Sequence, residues 1–238
     1  YQQESGILMA VGAIASNLLR LQEDINAVAL DCDRDPRTIR LMAVSKTFSA
    51  DVVEQAATAG HVLFGENRIQ EAWQKIPQVK QTGISWHLIG PLQSNKARRA
   101  VEIFDVIQTL DRPKIARKVN QYAQEMDKIV PVFIEVNIGD ESQKHGAVPE
   151  EIPGMVQLVD SLSALQLEGL MTVPPYHQEA EAARPYFRKL AEIQNELNRC
   201  RERPVKELSM GMSHDYRVAI EEGATLLRLG TAIFGQRP

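Results

Sequence analysis

Apolar residues along the chain fall into short runs that alternate with segments of helical periodicity. Eight runs have the length and composition of β-strands, and they cover residues 39–44, 62–64, 85–89, 105–110, 130–138, 165–173, 207–211 and 225–230. The intervening segments repeat apolar residues every three or four positions, and the clearest of these predicted helices cover residues 50–59, 67–75, 95–104, 113–126, 149–158 and 179–199. A further amphipathic helix is predicted over about residues 10–30.

Strands that alternate eight times with helices predict a (β/α)8 TIM barrel of the α/β class, with the N-terminal helix as an addition. The alternative is an open, doubly wound sheet. The number of strands disfavours that sheet, as does the lack of a GxGxxG motif after any strand. Because no Pro/Gly/Ser-rich linker and no internal repeat interrupts the chain, we predict a single domain over residues 1–238.

Composition and charge narrow the classes of partner. The 238 residues are 44% hydrophobic and 24% charged, and the net charge of −4 argues against a general binder of nucleic acid or anionic membranes. No apolar run approaches the ~18 residues that a membrane helix needs. Cys32 and Cys200 lack metal-ligand or redox-motif spacing, so two free thiols in a reducing compartment are expected. We therefore predict a cytoplasmic protein with no metal site.

A lysine follows the first predicted strand almost directly. Residues 41–44 are all apolar, and Lys46 comes two positions later. Functional groups of TIM barrels gather at the C-terminal ends of the strands. A lysine desolvated among apolar neighbours has a lowered pKa and attacks carbonyl groups more readily. The alternative is a structural ion pair, for example with Glu66.

The last two strands lead into loops with phosphate-binding character. These loops are "SMGMSHD" (209–215) and "RLGTAIFG" (228–235), in which Ser213, Gly230 and Thr231 supply hydroxyl and backbone N–H groups. The loops after strands seven and eight are the usual phosphate site of a TIM barrel. Since strand eight neighbours strand one, a phosphorylated aldehyde bound there would meet the lysine, and pyridoxal 5′-phosphate (PLP) is such a molecule. Spacing alone leaves phosphosugar enzymes, or a plain turn, as alternatives.

Longer motifs around these residues resemble those of one family. The family is the PLP homeostasis proteins (YggS/PROSC), and the motifs cover nearly the whole chain after the first helix: "AVSKT", "FGENRIQE", "WHLIGPLQSNK", "VNIGDESQKHG", "GLMTV" and "LSMGMSHDYRVAIEEGATLLRLGTAIFG". The family is similar in turn to the barrel domain of bacterial alanine racemase, a fold-type III PLP enzyme. The resemblance implies PLP as the cofactor.

The resemblance also assigns roles. Lys46 would hold PLP as a Schiff base, the internal aldimine, while Ser213, Gly230 and Thr231 would hold its phosphate. Arg228 would face the pyridine nitrogen, where a cation disfavours ring protonation and weakens PLP as an electron sink.

Three further residues, by the same resemblance, would line the cofactor: Asn67, His87 and Met171. A core histidine satisfied by backbone is the alternative for His87. Pro91 departs from the family motif, in which many relatives have His, and we do not count it in the site.

The implied function is intracellular PLP homeostasis, a carrier or regulator of vitamin B6 and amino-acid balance, with apo-PLP enzymes as recipients. Alanine racemase takes a tyrosine base from a second domain across its dimer interface, and the resemblance does not include that domain. Strong catalysis and a dimer are therefore not expected. Tyr216, the tyrosine nearest to a site motif, is predicted in the first turn of a helix. The alternatives are a PLP-dependent amino-acid racemase or related weak PLP enzyme, and an aldolase-like enzyme that uses the lysine without a cofactor.

Overall fold

A computed structural model describes residues 2–139 and 145–236 of the chain, with residues 2–11 described by their backbone alone. Part of the motif "VNIGDESQKHG", including Lys144, lies outside the described residues.

Eight parallel strands close into a barrel in chain order, and the last strand pairs with the first. The strands are β1 (Arg40–Val44), β2 (Leu63–Glu66), β3 (Ser85–Leu88), β4 (Val106–Leu110), β5 (Val130–Glu135), β6 (Leu165–Met171), β7 (Glu207–Ser209) and β8 (Leu226–Leu229). Helices join them on the outside. The described helices are α1 (Gln2–Asp31), α2 (Ala50–Thr58), α3 (Ile69–Lys75), α4 (Ala97–Ile103), α5 (Pro113–Glu125), α6 (Ile152–Ser161), α7 (Arg184–Asn198), α8 (Tyr216–Glu221) and α9 (Thr231–Phe234). The predicted TIM barrel is confirmed.

Burial on both faces explains why the strands appear as apolar runs. Their inner side chains fill the barrel and their outer side chains pack under the helices, so most strand positions are apolar, although some buried polar residues, such as Gln108 and Ser209, also lie in the strands. Helix α7 shows the complementary pattern, since Phe187, Leu190 and Ile193 are buried on one face. This helix begins at residue 184 rather than at the predicted 179, because a 3-10 turn at 180–183 precedes Pro185 in its first turn.

Helix α1 packs on the elements that follow β7 and β8. It begins earlier than the predicted residue 10 and buries Ile25 and Ala29 completely. Asn17 Nδ2 donates to the carbonyl oxygen of Ile233 in α9 over 2.9 Å. Tyr216 opens α8, as predicted, and its hydroxyl donates to Asp24 Oδ2 of α1 over 2.5 Å. Within the described ranges, no helix combines the length and apolar character that crossing a membrane requires.

Candidate functional site

A cavity of about 560 Å³ opens at the C-terminal ends of the strands. The loops after β1, β2, β3, β5, β6, β7 and β8 contribute to its wall, together with the ends of β1, β5 and β8. Most of the predicted site residues line it, namely Lys46, Asn67, Ser213, Arg228, Gly230 and Thr231. The barrel therefore brings together residues that are up to 185 positions apart in the sequence, between Lys46 and Thr231.

Lys46 is half-buried at the end of β1. The preceding strand is buried from Leu41 to Val44, so Lys46 directly follows a segment that is shielded from water. Glu66, the carboxylate weighed as its ion-pair partner, forms a buried ion pair with Lys75 at 2.7 Å. Desolvation dominates at Glu66 and raises the pKa of its carboxyl, although Lys75 and Ser45 oppose that effect.

The residues predicted to bind phosphate converge on one wall of the cavity. Ser213 Oγ accepts hydrogen bonds from the backbone N–H groups of Gly230 and Ala232, each over 3.3 Å. A side chain at position 230 would place its Cβ 3.2 Å from the carbonyl oxygen of Val44, so the tight passage of this loop past β1 favours glycine. Thr231 lies exposed at the edge of the same wall. The N–H group of Ala232, which the sequence did not single out, thus helps to hold the Ser213 hydroxyl in place.

Asn67 is held against the loop that follows β3. A Cβ added to Gly90 would lie 2.0 Å from the carbonyl oxygen of Asn67, so only glycine permits this approach. Pro91, the next residue, lines the cavity. The backbone passes the cavity here whatever residue it carries, so Pro91 lies at the cavity wall although the sequence analysis did not count it in the site.

A buried chain of hydrogen bonds anchors Arg228. Its guanidinium donates to Ser209 Oγ over 2.8 Å and to the carbonyl oxygen of Thr172 over 2.7 Å. Ser209 donates to Gln108 Oε1 over 2.6 Å, and Gln108 Nε2 donates to His87 Nδ1 over 2.7 Å. Complete burial lowers the pKa of Arg228 to about 10, opposed by the charges of Glu135 and Asp215, so the guanidinium is still charged at neutral pH.

The structure places His87 and Met171 inside the barrel, and neither lines the described cavity. Burial, with a smaller contribution from Arg40, lowers the pKa of His87 to about 3, which keeps its imidazole neutral. Met171 packs in an apolar cluster with Met42 and Phe133. Their contact with a cofactor stays a prediction: both lie within strands, whereas the described cavity is lined mostly by residues beyond the strand ends.

Sequence reasoning missed four groups with acid–base chemistry that line the cavity: Glu135, His145, Tyr176 and His214. Glu135 ends β5 and is 9% exposed. In the sequence it is a charged residue inside the predicted apolar run 130–138, and like Lys46 it is therefore a local anomaly. The other three lie in loops, where no local pattern marks them, and Tyr176 is 79% exposed with its ring centroid 5.8 Å from that of His214.

Glu135 should make the protein without ligand less stable as the pH rises. Burial and the charge of Asp111 raise its pKa from 4.5 to about 7, against the opposing charge of Arg228. The folded state therefore binds the Glu135 proton more tightly than the unfolded state does. The protonated carboxyl stabilises the fold fully below pH 4.5, and this stabilisation is lost as the pH rises through 7. That loss is at most about 3 kcal/mol.

We expect Glu135→Gln to remove this dependence, measured as the free energy of unfolding in urea at pH 5 and pH 8. His87 acts in the opposite direction, because its lowered pKa destabilises the folded state as the pH falls below 6.5. It is present in both proteins, so the comparison isolates Glu135. Parallel pH profiles for the two proteins would contradict the prediction.

No group of three or more His, Cys, Asp and Glu side chains in the described part of the chain is arranged to hold a metal ion.

Comparison with known proteins agrees with this architecture. The family model "Alanine racemase, N-terminal domain" matches residues 13–238. A pyridoxal phosphate homeostasis protein of Aquifex aeolicus is 39% identical over 220 residues, which cover 92% of this chain and 96% of that protein. The protein of that name from Escherichia coli K12 is 40% identical over 231 residues, 94% of this chain and 97% of the relative.

A solved structure is also similar. PipY of Synechococcus elongatus PCC7942, with PLP bound, matches with a TM-score of 0.82 and 33% identity, over 93% of this chain and 100% of PipY. The chain therefore belongs to the pyridoxal phosphate homeostasis family, whose barrel is that of the alanine racemase N-terminal domain.

Proposed function

We propose that this protein binds PLP in the cavity at the strand ends and serves PLP homeostasis by storing the cofactor and releasing it to apo-enzymes, without strong catalysis of its own. One observation carries the proposal. Lys46 and the predicted phosphate residues Ser213, Gly230 and Thr231 line the same cavity, in the loops after β1, β7 and β8, and β8 pairs with both β1 and β7. Relatives named for PLP homeostasis, and PipY with PLP bound, support it.

The donor set fits the three polar parts of PLP. Lys46 offers an amine for the aldehyde, and the hydroxyls of Ser213 and Thr231 line the wall proposed for the phosphate. Arg228 offers a buried cation for the side of the pyridine nitrogen. The cavity volume of about 560 Å³ falls within the range usual for small-molecule sites.

When bound, PLP supplies an aldehyde that condenses with amines and a ring that accepts electrons. The residues of this chain favour condensation of the aldehyde with amines over electron acceptance by the ring. Arg228 is locked by Ser209 and Thr172, so its positive charge cannot turn away and disfavours a proton on the ring nitrogen. Lys46 is half-buried, so its amine binds an aldehyde and remains within reach of competing amines.

The rim of the cavity is accessible to such amines. Tyr176 is 79% exposed and His214 is exposed, and both line the cavity. An acceptor amine from solvent can therefore reach the site and displace Lys46, which suits a protein that hands over its cofactor.

A weak amino-acid racemase is the second candidate, and the same rim favours it. Racemisation needs one group to remove the Cα proton and another to return a proton on the opposite face, and each general acid–base group typically contributes about 10²–10⁴-fold. Lys46 is one such group, and Tyr176 or His214 would have to be the other. Their exposure argues against efficient proton transfer, because water reaches both groups and competes for the proton.

The deciding experiment mixes the PLP-loaded protein with L- or D-alanine and, separately, with an apo-PLP enzyme. We expect cofactor transfer that activates the apo-enzyme, with no product and little deuterium exchange at Cα beyond that caused by free PLP at the same concentration. Turnover near ~10 per second would contradict the storage function. Loss of that turnover in Tyr176→Phe would then establish the racemase.

A cytoplasmic location and a monomeric state complete the proposal. Cys32 and Cys200 are both free thiols, which fits a reducing compartment. The mass of the PLP-loaded protein in solution, measured by light scattering, tests the oligomeric state.

A further inference from the structure

A buried lysine on α3 contacts the chain next to the cofactor lysine. Lys75 Nζ donates to the carbonyl oxygen of Ser45 over 2.9 Å, to Glu66 Oε1 over 2.7 Å and to Glu71 Oε1 over 2.9 Å. The three acceptors match the three N–H bonds of an ammonium group. Lys75 is 5% exposed, so these contacts are shielded from water.

The chain on the other side of Lys46 is tied to the same group. The backbone N–H of Thr47 donates to Glu71 Oε1 over 2.6 Å. Thr47 has φ of +71°, a left-handed conformation that residues with a side chain rarely adopt. Residues 45 and 47 are therefore both held by one cluster, and Glu71 Oε1 is the atom that joins its two halves.

The hydrogen bonds at Glu71 serve an ionised carboxylate. Burial alone would raise the pKa of Glu71, but the hydrogen bonds from Lys75 and Thr47 and the positive charges of Lys75 and Arg68 hold it below its ordinary value. An N–H group that donates to a charged acceptor forms a stronger bond than one that donates to a neutral acceptor. The bond to Thr47 can thus maintain a backbone conformation that the residue would not adopt by itself.

We infer that Glu71 is a positioning residue, which holds the backbone of Thr47 in its left-handed conformation and so directs the Lys46 amine to the aldehyde of the bound cofactor. The inference rests on the proposed function. A positioning role of Glu71 differs from a purely structural role in one respect. Loss of Glu71 should weaken the link between PLP and Lys46 more than it weakens binding of the phosphate and ring.

Two variants at one position separate these roles. Glu71→Gln keeps an oxygen that accepts from Thr47 and Lys75, whereas Glu71→Ala removes it. The Glu71 side chain is 26% exposed, so neither change buries a new polar group deeply. Each variant is titrated with PLP, following the visible absorption of the lysine-linked cofactor, and with pyridoxine 5′-phosphate, which has the phosphate and ring but no aldehyde.

We expect Glu71→Ala to bind PLP about tenfold more weakly than wild type, which corresponds to about 1.4 kcal/mol, while its affinity for pyridoxine 5′-phosphate stays within about twofold. Glu71→Gln should bind PLP with an affinity between those of wild type and Glu71→Ala, because it keeps the acceptor oxygen but not the charge, and it should bind pyridoxine 5′-phosphate like wild type. Equal PLP affinity in Glu71→Ala and wild type would overturn the inference. A parallel loss of both ligands would also overturn it, since that indicates general loosening of the site.

The outcome is separable from that of the proposed function. If wild type forms no link between PLP and lysine, the proposed function fails. If wild type binds and transfers PLP while Glu71→Ala does so equally well, only the positioning role fails. Urea unfolding of both variants shows whether a weaker titration reflects an unfolded fraction.

Discussion

Lys46→Ala is expected to abolish covalent attachment of PLP and the visible absorption that accompanies it. Lys46 is the lysine among the residues lining the described cavity, and it stands at the end of the buried strand β1. The phosphate-binding wall adjoins it through the pairing of β1 with β8, so the aldehyde of a bound PLP has this amine within the same cavity. Borohydride reduction of the loaded protein, followed by peptide mass spectrometry, should place the cofactor on Lys46 in wild type.

Lys96→Ala is the matched control, because Lys96 lies at the turn before α4 and does not line the described cavity. It should keep wild-type absorption and wild-type labelling. Reduced PLP found on Lys96, or on Lys144 outside the described residues, would overturn the assignment of Lys46. Some PLP should still bind to Lys46→Ala, because the phosphate wall is unchanged. This PLP should leave on dialysis, because no covalent bond holds it.

The second large effect is expected from the phosphate wall. The hydroxyls of Ser213 and Thr231 each stand to donate a charge-assisted hydrogen bond worth about 1.5–3 kcal/mol to a phosphate. Ser213→Ala should weaken PLP retention about tenfold or more, and the double variant Ser213→Ala/Thr231→Val should weaken it further. Ser213 also accepts from the N–H groups of Gly230 and Ala232, so its removal disturbs their arrangement as well.

Pyridoxal, which lacks the phosphate, provides the control ligand. Its affinity should be nearly equal in wild type and in the double variant, because the lysine and the ring environment are unchanged. Equilibrium dialysis with PLP and with pyridoxal gives both values on the same samples. Unchanged PLP affinity in the double variant would remove the phosphate site from this wall.

Local patterns were sufficient to predict the barrel and to place Lys46 at its cavity. Parallel strands buried on both faces require near-continuous apolar runs, so the strand positions were readable without any knowledge of contacts. Element ends were less accurate, as at α7, where a 3-10 turn occupies the first predicted helical residues. Lys46 was visible because a charge at the end of such a run is a local anomaly, and the barrel topology then places it at the functional end. Glu135 shows the same anomaly and was missed.

The sequence by itself thus determined the order of strands and helices, the closed barrel and the end of it that carries the chemistry, because burial periodicity and strand-end position are properties of short segments. Only the tertiary structure decided which polar residues meet. Ser209 bonds to Gln108 across 101 positions, and Arg228 bonds to Thr172 across 56. His87 joins that buried network instead of the cavity wall, because its position within β3 directs it into the barrel. Closure of the barrel brings such partners together, and a buried polar group left without a hydrogen bond would be costly. A short segment of sequence contains no information on which distant residue will be the partner.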